Sequence, residues 1–115
     1  MTNPEFTSAQ PHIEYDESAR KLTVRGATEF PRAAYELAPE IEVLDMSHNQ
    51  LTHLPDDLAR FSRMRVGFFS GNPLGEVPRV LANCEQLALV GLKSCGITDM
   101  GPNSLPANIK GRSEE

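Results

Sequence analysis

The amino-acid sequence predicts an α/β fold, a short solenoid of stacked repeats that begins with a β-hairpin. Apolar positions recur at a fixed offset of 23 residues over three units. Each unit contains a short segment in which apolar and polar residues alternate, which is typical of a strand with one buried face. An asparagine or a cysteine follows that segment at positions 49, 72 and 95. A repeat of this length cannot bury its apolar face alone, so the units are expected to stack around a continuous core.

The repeat signal extends over several aligned columns. These are Ile41/Met64/Leu87, Met46/Phe69/Leu92, Asn49/Asn72/Cys95, Leu51/Leu74/Ile97, Leu54/Val77/Met100, Pro55/Pro78/Gly101, Leu58/Leu81 and Phe61/Cys84. The column Leu44/Gly67/Val90 is weak because Gly67 lacks a side chain. We therefore predict one domain over 12–110, with a cap at 12–40 and repeats at 41–63, 64–86 and 87–110.

The spacing LxxLxLxx(N/C)xLxxLP resembles the leucine-rich repeat pattern. This resemblance implies a short right-handed horseshoe with a parallel sheet on its concave side and short helical or 3-10 segments on its convex side. Asn49 and Asn72, with Cys95 as a weaker substitute, are expected to form a ladder that satisfies buried backbone groups. In the first repeat, Pro55 suits the first helical position, and Leu58 and Phe61 are expected to face the core.

The two ends of the domain are predicted from their own patterns. Residues 13–15 and 21–24 alternate around a turn-like segment, 16–20, which predicts a hairpin that caps the first repeat. Residues 1–11 are expected to be loose. After Met100 the chain resembles the approach to a fourth unit that opens at Ile109, and 111–115 is expected to be a tail. The edge of the last strand is then either exposed and able to pair with another chain, or covered by residues 101–110.

A closer resemblance is to certain bacterial proteins in which a leucine-rich repeat region precedes a protein-kinase-like domain. It covers residues 20–110 and is carried by the segments 28–31 (TEFP), 44–51 (LDMSHNQL), 54–60 (LPDDLAR) and 71–73 (GNP). The chain has no glycine-rich nucleotide loop, no VAIK-like lysine and no HRD or DFG motif. It therefore lacks the residues with which such relatives would phosphorylate a substrate.

The composition excludes several classes of function. Eleven basic and 16 acidic residues give a net charge of −5, unlike the basic surface of a nucleic-acid binder. No apolar run is long enough to span a bilayer and no secretory signal is visible, so a cytoplasmic protein with reduced thiols is expected. His12, His48 and His53 lack metal-site spacing, and Cys84 and Cys95 align with core positions. We expect no enzyme activity, no metal and no cofactor.

The concave face is the predicted functional surface, because side chains between the core positions of each strand point out of the sheet. Its predicted partner-binding residues are Val43, Asp45, Ser47, His48, Val66, Phe68, Ser70, Leu89 and Lys93. Val43, Val66 and Leu89 are expected to form an apolar row beside Phe68, which Asp45 and Gly91 cannot cover. Either this row anchors a protein partner, or its members only shield one another across the strands.

These observations predict a non-catalytic module that binds a partner protein through its concave sheet. Two alternatives remain open. The chain is either a docking or regulatory fragment for a separately encoded protein kinase, or a structural module that self-associates through its C-terminal edge into a homo-oligomer. Neither nucleic acid nor a membrane is an expected partner.

Overall fold

Strands alternate with 3-10 helices along the chain, in the order that stacked repeats require. The structure, a computed structural model, describes residues 11–97 and 111–113. Its strands are β1 (His12–Asp16), β2 (Lys21–Arg25), β3 (Val43–Asp45), β4 (Val66–Phe68), β5 (Leu89–Gly91) and β6 (Gly111–Ser113). Its 3-10 helices are η1 (Arg32–Leu37), η2 (Asp56–Arg60) and η3 (Arg79–Asn83). The predicted α/β repeat solenoid is confirmed.

The six strands form one sheet in the order of the sequence. β1 and β2 pair antiparallel, which confirms the N-terminal hairpin, and every later pair is parallel. The register places Val43 beside Val66, and Val66 beside Leu89. Residues at equivalent repeat positions are therefore neighbours in space, and any feature that recurs in the sequence becomes a row across the sheet.

The core lies between the sheet and the 3-10 helices. Leu44 and Met46 enter it from β3 and the residue after it, while Leu58 and Leu81 enter it from η2 and η3. Each 3-10 helix follows a proline in extended conformation, so Pro55 lies one position before the first helical residue rather than at it. Pro55 has a φ of −72° and a ψ of 156°, and this extended conformation leads the chain from the preceding loop into η2.

Gly67 and Phe69 occupy one volume of the core together. A Cβ at Gly67 would lie 2.7 Å from Cε2 of Phe69, so the aromatic ring fills the space that the missing side chain leaves. Phe69 is itself fully buried. The gap in the Leu44/Gly67/Val90 column is therefore compensated two residues later by the largest side chain in the Met46/Phe69/Leu92 column.

The cap is joined to the first repeat by aromatic side chains. The ring centroids of Phe30 and Tyr35 are 5.4 Å apart, and those of Phe30 and Phe61 are 5.8 Å apart in an edge-on arrangement. The Arg60 guanidinium lies 5.0 Å from the centre of the Tyr35 ring. Such contacts add to the apolar area that the cap buries on η2.

The edge of β5 is covered by residues 111–113, a segment that neither of the two predicted arrangements assigns to it. β6 pairs with β5 in parallel, with Leu89 opposite Gly111, so the outer edge of β5 is covered. Residues 111–113, predicted to be a tail, thus form a strand at the position where a fourth repeat would place one. Residues 1–10 of the predicted loose segment 1–11 lie outside the described residues, as do the aligned positions Met100 and Gly101 and the approach to Ile109.

Candidate functional site

Three rows of outward-facing side chains make up the concave face of β2–β5. The first row runs Lys21, Val43, Val66, Leu89 and the second runs Thr23, Asp45, Phe68, Gly91. The third row continues past the strand ends through Arg25, Ser47, Ser70 and Lys93. Eight of the nine predicted partner-binding residues lie in these rows, whereas His48 follows Ser47 in the loop and lies against Gly71.

An apolar patch occupies the middle of this face. Val66 and Phe68 are partly exposed, and Leu89 is the large hydrophobic side chain with the greatest exposure in the described part of the chain, at 37%. The sequence singles out Phe68 as the anchor, whereas Leu89 presents more surface. A row of apolar side chains open to solvent is the arrangement expected of a contact surface for another molecule.

Gly91 lets the Phe68 ring lie close to the backbone of β5. A Cβ at this position would lie 3.4 Å from Cδ1 of Phe68 and 3.3 Å from Oγ of Ser70. The Ser70 hydroxyl in turn accepts a hydrogen bond of 3.1 Å from the backbone N–H of Lys93. The Phe68 ring and the Ser70 hydroxyl therefore occupy the space above Gly91, which is buried beneath them.

Asp45 sits in the same row as Phe68 and is tied to the neighbouring strand. Its carboxylate accepts hydrogen bonds from both terminal nitrogens of Arg25, at 3.4 and 3.3 Å, and from the Ser47 backbone N–H at 3.0 Å. Partial burial alone would raise the pKa of Asp45, but the Ser47 and Arg25 hydrogen bonds outweigh it and lower that pKa. Asp45 is therefore ionised and paired at neutral pH.

A second acidic side chain is paired at the entrance to the strands. Glu42 lies 3.7 Å from Arg20 and 3.2 Å from Arg65. Each of these three residues lies one position before a strand. The backbone carbonyls of Arg20 and Glu42 accept hydrogen bonds from the next repeat. Two arginines share this carboxylate, so the start of the parallel strands carries an excess of positive charge.

Asn49 and Asn72 form a ladder beneath the sheet ends. The Asn49 side-chain amide donates to the carbonyls of Val24 and Met46, at 3.0 and 2.7 Å, and its oxygen accepts from the Ala27 N–H at 2.8 Å. At the Cys95 position, the thiol sulfur lies 3.2 Å from the Phe69 carbonyl. The predicted ladder is present, with Cys95 as its weaker member.

Residues in left-handed backbone conformation precede Ala27 and the three ladder positions, which the sequence did not predict. Gly26, His48, Gly71 and Ser94 have φ values of 79°, 60°, 78° and 59°. His48 and Ser94 accept a conformation that glycine adopts more easily. The His48 ring covers Gly71, since a Cβ on Gly71 would lie 2.5 Å from His48 Nδ1. The recurrence of glycine at positions 26 and 71 is the sequence signal from which this backbone conformation could have been predicted.

The other chemically notable side chains do not assemble into a site. Cys84 and Cys95 are buried, and burial raises the pKa of Cys84 to about 11. Within residues 11–97, no group of three histidine, cysteine or acidic side chains is placed to hold a metal ion. The same part of the chain has no helix with the length and apolar character needed to cross a bilayer.

A repeated strand and 3-10 helix, stacked in register over an asparagine ladder, define a solenoid with an open concave face. Comparison with known families matches residues 40–61 to the leucine-rich repeat. Comparison with curated proteins finds no match. The chain thus has the leucine-rich repeat fold.

Among solved structures, the chain is similar to the leucine-rich repeat domain of the type III effector XopL. The TM-score is 0.64 at 20% sequence identity, and the match covers 84% of this chain. The chain spans only 38% of the length of that structure. This likeness concerns the fold alone. The function of the chain depends on the residues of its own concave face.

Proposed function

We propose that this chain is a non-catalytic module that binds a partner protein through the concave face. The observation that carries the proposal is the apolar patch of Val43, Val66, Phe68 and Leu89, which is continuous across three strands and remains open to solvent. Leucine-rich repeat domains in general mediate contacts between proteins, which supports the same conclusion. The cytoplasmic location expected from the sequence is part of this proposal.

The patch has the features of an interaction centre. Its side chains are apolar, and they are surrounded by polar and charged groups such as Asp45, Ser70 and Lys93. Aromatic and aliphatic anchors inside a polar rim account for most of the binding free energy in typical interfaces. The alternative is that these side chains only shield one another across the strands. Mutual shielding explains the partial burial of Val66 but does not explain why Leu89 remains exposed.

The test is a comparison of two aspartate variants with a matched control. Phe68→Asp and Leu89→Asp place a charge on the patch, whereas Ala82→Asp places the same charge on exposed η3. Proteins recovered from the source organism's lysate by the wild type and by Ala82→Asp are expected to be lost with both patch variants. Circular dichroism checks that each variant is folded. Equal recovery by all four proteins contradicts the proposal.

The same variant proteins distinguish the two predicted alternatives. If the recovered partner is a protein kinase, the docking interpretation holds within the proposed function. Self-association through the edge of β5 is disfavoured because β6 covers that edge. A mass that rises with protein concentration and is unaffected by Phe68→Asp would support self-association elsewhere on the molecule.

A further inference from the structure

We propose that Phe6 of this chain docks into an apolar groove at the N-terminal end of the solenoid, so that residues 1–10 act as a strap across the cap. The proposal concerns a different surface from the concave face and does not depend on the proposed function. Three observations support it: the incomplete cover of the groove, the point at which the chain enters it, and the side chain available to fill it.

The groove lies where the hairpin meets the loop before η1. Its volume is about 500 Å³, within the roughly 300–1,000 Å³ typical of binding clefts. The described side chains along it are mainly apolar: Pro11, Ile13, Ala27, Phe30, Pro31 and Ala33. Glu29 and Arg32 also line it, and their opposite charges cancel. The groove therefore selects an occupant by apolar contact rather than by charge.

Ile13 and Phe30 are incompletely covered in this groove. Both pack against the core, yet both keep part of their surface open to solvent. Inside a solenoid each repeat covers the apolar side of its neighbour, whereas the first unit has no neighbour before it and needs a cap. Tyr35 and Phe61 contact the Phe30 ring from the side of the core. The open groove shows that the described residues leave the other side uncovered.

The position of Pro11 favours the chain's own N-terminal segment as the occupant. Pro11 is the first described residue and lines the groove, so the residues before it leave from the groove wall. Phe6 is the only aromatic residue among them, in the segment MTNPEFTSAQ. The five residues from Phe6 to Pro11 span at most about 17 Å, which keeps the ring within reach of the groove.

The short connection also favours this occupant over a free partner. A flexible link of this length gives an effective concentration in the millimolar range. A contact between Phe6 and the groove is therefore mostly formed even if its intrinsic dissociation constant is only somewhat below about 1 mM. A separate protein must supply the whole affinity from its own contacts.

The experiment relies on the fact that the sequence contains no tryptophan. In the full chain, Phe6→Trp places one fluorescent reporter at the proposed anchor, and Thr2→Trp places one outside it. The emission of Phe6→Trp is expected at a shorter wavelength, with severalfold weaker quenching by acrylamide, because the apolar groove excludes water. Adding Ala33→Asp, a charge on an exposed groove residue, is expected to remove both differences. The matched control Ala82→Asp, exposed on η3, is expected to leave them unchanged.

Each outcome either supports or overturns the strap. Emission and quenching of Phe6→Trp that match those of Thr2→Trp would overturn it and would agree with the loose segment that the sequence predicts. A shielded reporter that is insensitive to Ala33→Asp would be buried elsewhere, which also overturns the proposal. Shielding that appears only as the protein concentration rises would mean that a second copy supplies the anchor.

Circular dichroism separates loss of docking from loss of the fold. If Ala33→Asp unfolds the chain, Thr28→Asp takes its place, because Thr28 is exposed and lines the same groove. None of these variants alters Phe68 or Leu89, so failure of the strap leaves the proposed function of the concave face untouched.

Discussion

The second and third repeats hold their loops in different ways. The Asn72 amide donates to the carbonyls of Met46 and Phe69, at 2.9 and 2.8 Å, and accepts from the Leu51 N–H at 3.1 Å. Cys95 offers one weak donor, to the Phe69 carbonyl. The Leu74 N–H, equivalent to that of Leu51, bonds instead to the carbonyl of Asn72 two residues before it, at 2.7 Å.

This difference shows what one asparagine contributes to a solenoid. Its side chain joins two successive repeats through three buried backbone groups, which water cannot reach. A thiol fits the same space but satisfies fewer of those groups, and the chain compensates with a tight local turn. The repeat with the cysteine therefore keeps its shape with fewer bonds to its neighbour.

The largest expected effect is that of Asn72→Ala. The variant leaves the Met46 and Phe69 carbonyls and the Leu51 N–H buried without this partner, which should lower the free energy of unfolding by about 2–4 kcal/mol. Urea denaturation followed by circular dichroism measures it, with exposed Asn83→Ala as the control. Cys95→Ala should cost less than Asn72→Ala. Equal losses of unfolding free energy for the two variants would contradict the different contributions assigned to Asn72 and Cys95.

Gly67→Ala is expected to disturb both rungs at once, because the Phe69 carbonyl accepts from both Asn72 and Cys95. The new methyl group would displace the Phe69 ring and lower the free energy of unfolding by about 1–3 kcal/mol. Gly91→Ala, whose nearest atom would be 3.3 Å away, is the control. Adding Phe69→Leu should recover part of the loss, and a double variant that is simply additive would contradict the compensation.

Cys95→Asn tests the comparison in the opposite direction. The new amide can accept from the Leu74 N–H and donate to the Phe69 carbonyl, as Asn72 does one repeat earlier. We expect a gain of about 1 kcal/mol in the free energy of unfolding, measured by urea denaturation. A loss of stability would mean that the local turn at Leu74 has replaced the rung completely.

The smallest expected effect concerns the Arg25–Asp45 pair, which joins β2 to β3 on the opposite side of the sheet from the Asn49 rung. Because the pKa of Asp45 is lowered in the folded state, its contribution is present at neutral pH and is lost as pH falls through that pKa. Asp45→Asn should cost below about 1 kcal/mol at pH 7, since the pair is partly exposed. The difference from the wild type should vanish near pH 2, and a constant difference in urea titrations would contradict this assignment.

Much of this architecture could be predicted from periodicity alone. The columns at Met46, Leu58 and Asn49 identify the strand, the 3-10 helix and the ladder, because a buried position in a repeat tolerates few residue types. The compensation between Gly67 and Phe69 could not be predicted, since it joins two columns that alignment treats separately. The left-handed conformation at His48 and Ser94 was also missed, because the residue types there differ and only the backbone is shared.

The concave face could be predicted as a set of positions, while its exposure could not. Alternation identifies Phe68 and Leu89 as outward-facing, but the degree to which each is covered depends on neighbours such as Gly91. The strand at 111–113 was missed because it is short and polar, and it follows a segment without a repeat signature.

The ladder bonds also have a direction along the chain. Asn49 reaches back to Val24, Asn72 reaches back to Met46, and Cys95 reaches back to Phe69. Each repeat thus docks on the one before it, as in a nearest-neighbour chain that grows from a template. The hairpin serves as that template, so amide hydrogen exchange is expected to be fastest in the repeat that contains Cys95, with opening that proceeds backwards towards the cap.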